Sequence, residues 1–438
     1  MTLRLVLADS TGTPHVSRHP ALGRRGDAIV ELGAMLPMPP GTQLVQMPER
    51  RAVTRDALGR NLTLPEDAVV VGAMLPIGYT RTLLPPATDG RGKLPLPLFG
   101  YTAVAEESGQ YYVSALQTEE APTWDARLFN TPGLAAGVDR MRTLHRGNVV
   151  AEQLALCATE YGCFTAQNTF YERWEMALPT SVACNARCIG CLSEQEEQSC
   201  PASQARITRR ASVDDIVSLA LPHLERVERP MVSFGQGCEG EPLLNWRLIE
   251  ASIKRIRAAT SRGWININTN GSDPVAVSRL IDAGLDSIRV STFSAREATY
   301  LAYYRPRNYG LPQVRRSLEI ASERGIRTAV NLLVFPGVTD RAAEIDALID
   351  LFRATRLEQV QLRNLNIDPD QLMEALPPDD GEVLGIPTLV ERLKRELPDL
   401  LVQSISRLPK DDRLSVRPST TQRGHHPRRV RRSAVTVA

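Results

Sequence analysis

The sequence contains no long apolar run, although hydrophobic residues make up 42% of the chain. No stretch approaches the roughly 18 consecutive apolar residues that a membrane-spanning helix needs. The first residues, MTLRLVLADSTG, also lack the apolar core of a secretory signal peptide. We therefore expect a cytoplasmic protein that has no membrane partner.

Cysteine is scarce, with seven residues among 438, and three of the seven fall within eight positions. A disulfide scaffold is typical of short secreted chains, so this long chain with few, unevenly placed cysteines does not suit one. The distribution favours a metal site or a reactive cluster in a reducing compartment.

A strong charge of either sign is also absent, since the net charge is +2. From Gln403 onward, nine Lys and Arg residues stand against two Asp, so this segment carries +7 and leaves the rest at −5. Nothing in a mildly acidic body demands a nucleic-acid partner. Residues 409–438 are polar and rich in arginine, which predicts a disordered basic tail because such a segment buries too little apolar surface.

Residues 1–140 combine short β-prone runs with connections rich in Pro and Gly, such as LPMPPG. This pattern predicts a small, mostly β domain. A docking or substrate-recognition module and a plain structural extension are both open for it. Residues 141–175 have a helical pattern and are interpreted as a connector.

Apolar strands alternate with amphipathic helices between residues 176 and 368. The predicted strands are Met176–Ala183, Met231–Phe234, Trp264–Asn268, Ser287–Ser291, Thr328–Phe335 and Gln359–Asn364. Such alternation indicates a parallel sheet with right-handed crossovers, and six units are too few for a closed eight-fold barrel. We predict an α/β fold built on a partial (β/α)6 TIM-like barrel. A C-terminal extension over residues 369–408 follows, with one helix at Thr388–Glu396.

The segment CNARCIGC carries the clearest chemical signal, with thiols at Cys184, Cys188 and Cys191. Thiolates suit zinc, copper(I) or iron–sulfur clusters. Structural zinc sites and ordinary electron-transfer clusters usually take four protein ligands. Three thiols in one short loop would leave one corner of a cubane cluster open to another ligand, although a zinc site is not excluded by the spacing.

The C-x3-C-x2-C spacing, followed by a GEPL turn at Gly240–Leu243 and six βα units, resembles the radical S-adenosylmethionine (SAM) superfamily. The resemblance implies that Cys184, Cys188 and Cys191 hold a [4Fe-4S] cluster whose fourth iron chelates SAM. It also implies reductive cleavage of SAM to a 5′-deoxyadenosyl radical, which abstracts hydrogen from a substrate. An oxygen-sensitive cluster and an electron donor such as flavodoxin or ferredoxin follow from it. The substrate, whether small molecule, peptide or RNA, is not indicated.

The same resemblance assigns SAM contacts to strand ends. Glu241, together with Gly240, maps onto the residues that receive the SAM amino group, since an ammonium needs acceptors and glycine allows close backbone approach. Glu239 departs from the family pattern, in which a glycine usually stands there, and Gly190 stands where an aromatic residue is frequent. The further implied SAM contacts are Asn268, Asn270, Ser291 and Asn331, and the candidate substrate contacts are Arg363, Asn364 and Asn366. Each of these residues could instead be a structural residue at the end of a strand, without a ligand.

Two other classes stay open from the sequence alone. One is a non-catalytic zinc or iron–sulfur protein, and the other is an RNA-modifying or RNA-binding protein that uses the basic tail. Four cysteines remain outside the loop and could ligate a second cluster: Cys157, Cys163, Cys200 and Cys238. Scattered cysteines are more often buried thiols, so we predict one cluster.

Overall fold

The computed structural model describes residues 3–9, 11–88, 90–197 and 199–407. The basic tail predicted over residues 409–438 lies outside these ranges. Among the described residues, no helix has both the length and the apolar character needed to cross a membrane.

A β-rich region precedes the barrel, as predicted. Its strands are β1 Arg4–Ala8, β2 Pro14–Pro20, β3 Gly23–Arg25, β4 Ala28–Val30, β5 Leu36–Pro37, β6 Gln43–Arg55, β7 Asn61–Thr63, β8 Val69–Met74, β9 Tyr79–Arg81, β10 Ala87–Thr88, β11 Thr102–Glu107, β12 Gln110–Val113 and β13 Ala115–Gln117. The main sheet is antiparallel, in the order β10-β6-β8-β1-β11-β12-β5, with β2 and β7 paired at its side. Strand β1 is a continuous apolar run because both of its faces are covered: Leu5 and Leu7 pack in one core and Val6 in another.

A helical segment connects this region to the barrel. After two 3-10 turns at Pro122–Trp124 and Ala126–Leu128 come α1 Gly133–Leu144, α2 Val149–Thr159 and α3 Phe164–Phe170. The side chain of Asn148 accepts hydrogen bonds from the backbone N–H groups of Val150 and Ala151, which fixes the start of α2.

The barrel sheet is parallel, in the chain order β14 to β20. Its strands are β14 Glu175–Leu178, β15 Met231–Phe234, β16 Trp264–Thr269, β17 Ser287–Thr292, β18 Arg327–Val334, β19 Gln359–Asn364 and β20 Leu401–Gln403. The helices are α4 Val213–Arg226, α5 Trp246–Ala259, α6 Pro274–Ala283, α7 Glu297–Tyr304, α8 Leu311–Glu323, α9 Ala342–Ala354, α10 Pro369–Ala375 and α11 Ile386–Glu396, with a 3-10 turn at Pro242–Asn245. The α/β class and the parallel sheet are confirmed.

Five of the predicted strands match to within one residue at each end. The first is shorter than expected: it was predicted over Met176–Ala183 and ends at Leu178. Pro179 cannot donate to a ladder hydrogen bond, so pairing stops there. The C-terminal extension supplies β20, a further parallel strand that pairs with β19.

The outer face of the barrel sheet is apolar and packs on the helices, as with Ile267 and Ile288. The inner face is polar instead. Arg289 Nη2 lies 2.9 Å from Glu175 Oε1, and Ser233 Oγ donates to the same oxygen at 2.6 Å. A closed barrel is filled mainly by branched apolar side chains, whereas this open one keeps hydrogen-bonding groups along its interior.

The β-rich region docks at the carboxyl ends of β18 and β19. The buried Arg81 guanidinium donates to the carbonyl oxygens of Val334 and Leu365 at 3.3 and 2.7 Å. Beyond β19, buried ion pairs join Arg50 to Asp368 at 2.6 Å and Arg24 to Asp370 at 2.7 Å. These contacts fix the β-rich region over one side of the barrel mouth.

Candidate active site

A cleft of about 660 Å³ opens at the carboxyl ends of the barrel strands, beside the β-rich region. The structure brings every site residue predicted from the sequence to its walls. These are Cys184, Cys188, Cys191, Gly240, Glu241, Asn268, Asn270, Ser291 and Asn331, together with Arg363, Asn364 and Asn366. Their convergence follows from the parallel sheet, in which all strands end at one edge. The individual roles of these residues stay predictions.

The cluster loop, Cys184–Cys191, is held from two sides. The side chain of Asn185 contacts Asn270 and Ser272, in the loop after β16, at 2.7 and 2.9 Å. On the other side, the backbone N–H groups of residues 187 and 189 donate to the carbonyl oxygens at the end of α7. All three thiols are half-buried and free. The loop is therefore fixed mainly through its backbone and the side chain of Asn185.

Burial raises the pKa of the Cys184 and Cys188 thiols. Their anionic forms therefore need a compensating cation, which an iron centre would supply. Arg206 places a guanidinium nitrogen 3.8 Å from Cys191 Sγ and also donates to Ser193 Oγ at 3.1 Å. Among the described residues, no group of three or more His, Cys, Asp or Glu side chains is arranged for a single metal ion.

An aromatic ring stands against Gly190, where the sequence lacks the usual aromatic residue. A Cβ at residue 190 would lie 3.0 Å from the Tyr303 hydroxyl, and Tyr303 lines the cleft. The Tyr303 ring packs on Phe293 and Tyr304, with centroids 4.7 and 4.9 Å apart. Helix α7 thus supplies a ring beside the third cysteine, which sequence reasoning did not identify.

Glu239, the departure from the family pattern, is a structural clamp. Its Oε2 accepts from the N–H groups of Thr180 and Ser181 at 2.7 and 2.8 Å. Its Oε1 accepts from those of Gly235 and Gln236 at 2.7 and 2.8 Å. Burial raises the pKa of Glu239 to about 7, although these four donors oppose the shift by favouring the carboxylate. Glu239 therefore ties the loop after β14 to the loop after β15.

Gly240 continues the same junction. Its N–H donates to Ser181 O at 2.8 Å, and a Cβ there would lie 2.0 Å from the Ala183 carbonyl oxygen. Only glycine allows this approach of two backbone segments. The glycine thus serves the packing of the motif turn on the cluster loop, whatever it also does for a ligand.

Glu241 is buried and already has partners within the protein. It accepts from Leu243 N at 3.0 Å, from Asn270 N at 2.8 Å and from the Thr269 hydroxyl. Burial raises the pKa of this carboxyl group to about 7. Each carboxylate oxygen has more than one lone pair, so Glu241 retains acceptor capacity toward the cleft. It joins the ends of β15 and β16 while facing the ligand space.

The remaining predicted contacts differ in how far their polar atoms are engaged. Asn268 Nδ2 donates to Phe234 O at 3.1 Å, which braces two adjacent strands. Asn331 Oδ1, on β18, is buried and has no hydrogen-bond partner among the described residues. Buried polar atoms are normally paired, so this atom marks a place where a polar ligand would fit.

The structure brings some of the other cysteines together. Cys157 and Cys238 share a thiol–thiol hydrogen bond, which lowers the pKa of Cys157 and raises that of Cys238. The Cys163 N–H donates to Cys157 O at 3.0 Å. Cys200 is buried in a different environment, with the charge of Asp368 nearby. The prediction of a single cluster stays a prediction.

Part of the cleft wall carries no sequence signal. The β-rich region contributes residues 75–79, the 3-10 turn contributes Trp124, and the segment after β20 contributes residues 404–406. Glu119 holds that segment by accepting from Ser404 N and Ile405 N at 2.5 and 2.6 Å. No spacing or composition marks these residues, because their placement depends on contacts between segments that are far apart in the chain.

Residues 178–351 match the family model described as the Radical SAM superfamily. This part of the chain is therefore a radical SAM domain. The membership of the radical SAM superfamily that we predicted from the cysteine loop is confirmed. Members of the superfamily are enzymes that use a [4Fe-4S] cluster and SAM. The subfamily is unresolved. A comparison with curated protein sequences found no match.

Several solved structures resemble the chain. Streptococcus suis SuiB bound to the precursor peptide SuiA has 12% identity and a TM-score of 0.37, covering 57% of this chain and 52% of that one. A radical SAM methyltransferase from Sphaerobacter thermophilus has 15% identity and a TM-score of 0.37, covering 52% and 65%. The hydrogenase maturase HydG from Carboxydothermus hydrogenoformans has 14% identity and a TM-score of 0.35, covering 61% and 64%. The chain thus spans between about half and two thirds of these proteins.

Proposed function

We propose that this protein is a radical SAM enzyme whose cluster is held by Cys184, Cys188 and Cys191. One observation carries the proposal. Three half-buried thiols and the predicted SAM contacts line a single cleft, within a chain whose residues 178–351 match the superfamily. When bound, the cluster and SAM supply an electron and a 5′-deoxyadenosyl radical that abstracts hydrogen from the substrate.

The residues present fit these groups. Three thiols without a fourth neighbouring cysteine suit a cluster that leaves one iron to another ligand. The carboxylate of Glu241 would accept the SAM ammonium, and the unpaired Asn331 Oδ1 would accept from a donor of the ligand. The function of the chain itself is then to bind, to orient and to exclude water.

Water exclusion is served by the ring cluster behind the loop. Tyr300, Tyr303 and Tyr304 are almost wholly buried. The rings of Tyr300 and Tyr304 have centroids 4.6 Å apart. Tyr303 and Tyr304 reach the cleft wall beside the cluster loop, so buried rings close this part of the site to water.

The same proposal includes an oxygen-sensitive cluster, a reducing cytoplasmic location, and an electron donor such as flavodoxin or ferredoxin. All seven cysteines are free, which supports a reducing compartment. We also propose that the boundaries between the five segments of the chain lie at residues 140, 175, 368 and 408.

The test is SAM cleavage by protein that has been reconstituted with iron and sulfide without oxygen. The reduced protein should release 5′-deoxyadenosine from SAM slowly even without substrate, and exposure to air should abolish the release. Protein that takes up the cluster and binds SAM but releases no 5′-deoxyadenosine would contradict the proposal.

A further inference from the structure

One cation lies against the third cysteine of the cluster loop. Arg206 Nη2 donates to Cys191 Sγ at 3.8 Å, and Arg206 Nε donates to Ser193 Oγ at 3.1 Å. The Ser193 hydroxyl itself lies 3.7 Å from Cys191 Sγ. The side chain of Arg206 is only 14% exposed. The guanidinium is therefore largely withdrawn from water and has two of its nitrogens turned toward this cysteine and its neighbour.

The backbone on both sides of Arg206 is tied to other parts of the site. The carbonyl oxygen of Ala205 accepts from the side-chain amide of Gln153, on α2, at 2.9 Å. The N–H group of Ile207 donates to the carbonyl oxygen of Cys238, in the turn after β15, at 2.9 Å. Because both chain neighbours of the arginine are anchored, the fold itself holds the guanidinium beside the sulfur atom.

The charge of Arg206 is opposed by one ion-pair partner. Glu194 Oε2 lies 2.7 Å from Arg206 Nη1, which is a different nitrogen from the two that face Ser193 and Cys191. The Glu194 side chain is 63% exposed, so water screens its charge more strongly than that of the arginine. Glu194 therefore orients the guanidinium and cancels only part of its field at the sulfur.

A donor at a thiolate ligand changes the reduction potential of an iron–sulfur cluster. A [4Fe-4S]2+ core with three thiolates carries one negative charge. After it accepts one electron from the donor protein, the core is [4Fe-4S]+ and the same unit carries two negative charges. A nearby cation stabilises the doubly negative form more than the singly negative one. A cation beside Cys191 would therefore favour the reduced cluster.

We propose that Arg206 is a positioning residue that raises the reduction potential of the cluster through its hydrogen bond to Cys191. The inference rests on the proposed function, since it takes Cys191 as a cluster ligand. Cys191 lines the cleft, whereas Arg206 is not among the described residues that do so. Its role is thus separate from contact with SAM or substrate.

The test is a redox titration of the reconstituted protein without SAM, in which the electron paramagnetic resonance signal of the reduced cluster is measured against potential. In Arg206→Gln, the ratio of reduced to oxidised cluster at the wild-type midpoint should fall about tenfold, as for the loss of a hydrogen bond to a charged group. This fall corresponds to a midpoint about 59 mV lower for a one-electron couple. Arg206→Lys keeps the charge and should restore most of the shift.

Two further variants test the charge argument. Glu194→Gln removes the opposing anion, so the same ratio should rise, by about twofold because Glu194 is exposed. Arg353→Gln changes an exposed arginine on α9 and should leave the midpoint where it is in the wild type.

An unchanged midpoint in an Arg206→Gln protein that binds about four irons per chain would overturn the proposal. If Arg206→Gln does not take up the cluster, Glu194→Gln decides, since an unchanged midpoint there would likewise overturn it. The titration depends on neither SAM cleavage nor substrate. A wild type without any cluster signal therefore contradicts the proposed function, whereas a cluster whose potential does not respond to these variants contradicts only the present inference.

Discussion

The two walls of the cleft are held in different ways. The motif wall consists of the cluster loop and the turns after β15 and β16. It is fixed by short hydrogen bonds within the barrel, above all those of Glu239 and Asn185. The docked wall consists of residues 75–79, Trp124 and residues 404–406, and it depends on ion pairs and on Arg81 between distant segments. The cluster loop with its adjoining turns and the docked side of the cleft therefore rest on separable sets of contacts.

The largest effect is expected in the motif wall. Replacing Cys184, Cys188 and Cys191 together with Ala removes the thiolate ligands, so cluster uptake and 5′-deoxyadenosine release should both be lost. The wild type should bind about four irons per chain. Cys200→Ala changes a buried cysteine outside the loop and should retain both properties. Release of 5′-deoxyadenosine by the triple variant would show that the loop does not hold the cluster.

The second-largest effect is expected when an ion pair that holds the docked wall is removed. Asp368→Asn removes the charge that pairs with the buried Arg50. Loss of one partner of a buried pair lowers the free energy of unfolding by about 3–5 kcal/mol. Because Asp370 stays 3.6 Å from Arg50, we expect a loss at the lower end of this range, to be measured by chemical denaturation. Release of 5′-deoxyadenosine without substrate should persist at temperatures where the variant is folded.

The matched control is Glu358→Gln, in the exposed pair with Arg327. Such a pair contributes about 1 kcal/mol or less. If Asp368→Asn loses no more stability than this control, the β-rich region is not anchored by the buried pair.

A third prediction separates the two neighbouring glutamates of the motif wall. Glu241→Gln removes the charge facing the SAM ammonium, so the Kd for SAM should rise about tenfold to a hundredfold. In Glu239→Gln, an amide nitrogen replaces one of the two carboxylate oxygens and cannot accept from the backbone N–H groups. Each N–H group that is left without an acceptor costs about 1–3 kcal/mol of stability. Its main effect should be on the melting temperature. If the two variants exchanged these effects, Glu239 would be the ligand residue.

The smallest effect concerns the protonation of buried groups. Burial lowers the pKa of His223, on α4, to about 4. The unfolded state therefore binds the proton first as pH falls below about 6.5, and stability should drop by up to about 1.4 kcal/mol per pH unit until pH 4. Glu239 and Glu241 oppose this, because their raised pKa values make the folded state take up protons below pH 7.

The difference between the wild type and His223→Gln isolates the histidine contribution. Denaturation at pH 7 and pH 5 should show a smaller loss on acidification in the variant. An identical pH dependence in both proteins would mean that His223 is not held neutral by burial.

The barrel strands were predictable because each is an apolar run bounded by turn residues and followed by an amphipathic helix. The positions of the site residues followed from that order, since parallel strands end at one edge. Strand β20 was not predicted because three residues are too few to show the alternation of apolar and polar side chains that indicates a strand. Helix α7 was missed because Arg296 at its start makes no side-chain cap. The clamp role of Glu239 could not be predicted, since its four donors come from two loops 55 residues apart.

The contact between Glu119 and residues 404–405 also has a consequence for synthesis of the chain. The partners are separated by up to 286 residues. At about 5–20 residues per second, the ribosome needs roughly 15–60 s to produce the second partner after the first. During that interval the β-rich region exposes the surface that later meets the barrel. Until β20 has been translated, this surface of the nascent chain is free to associate with other chains.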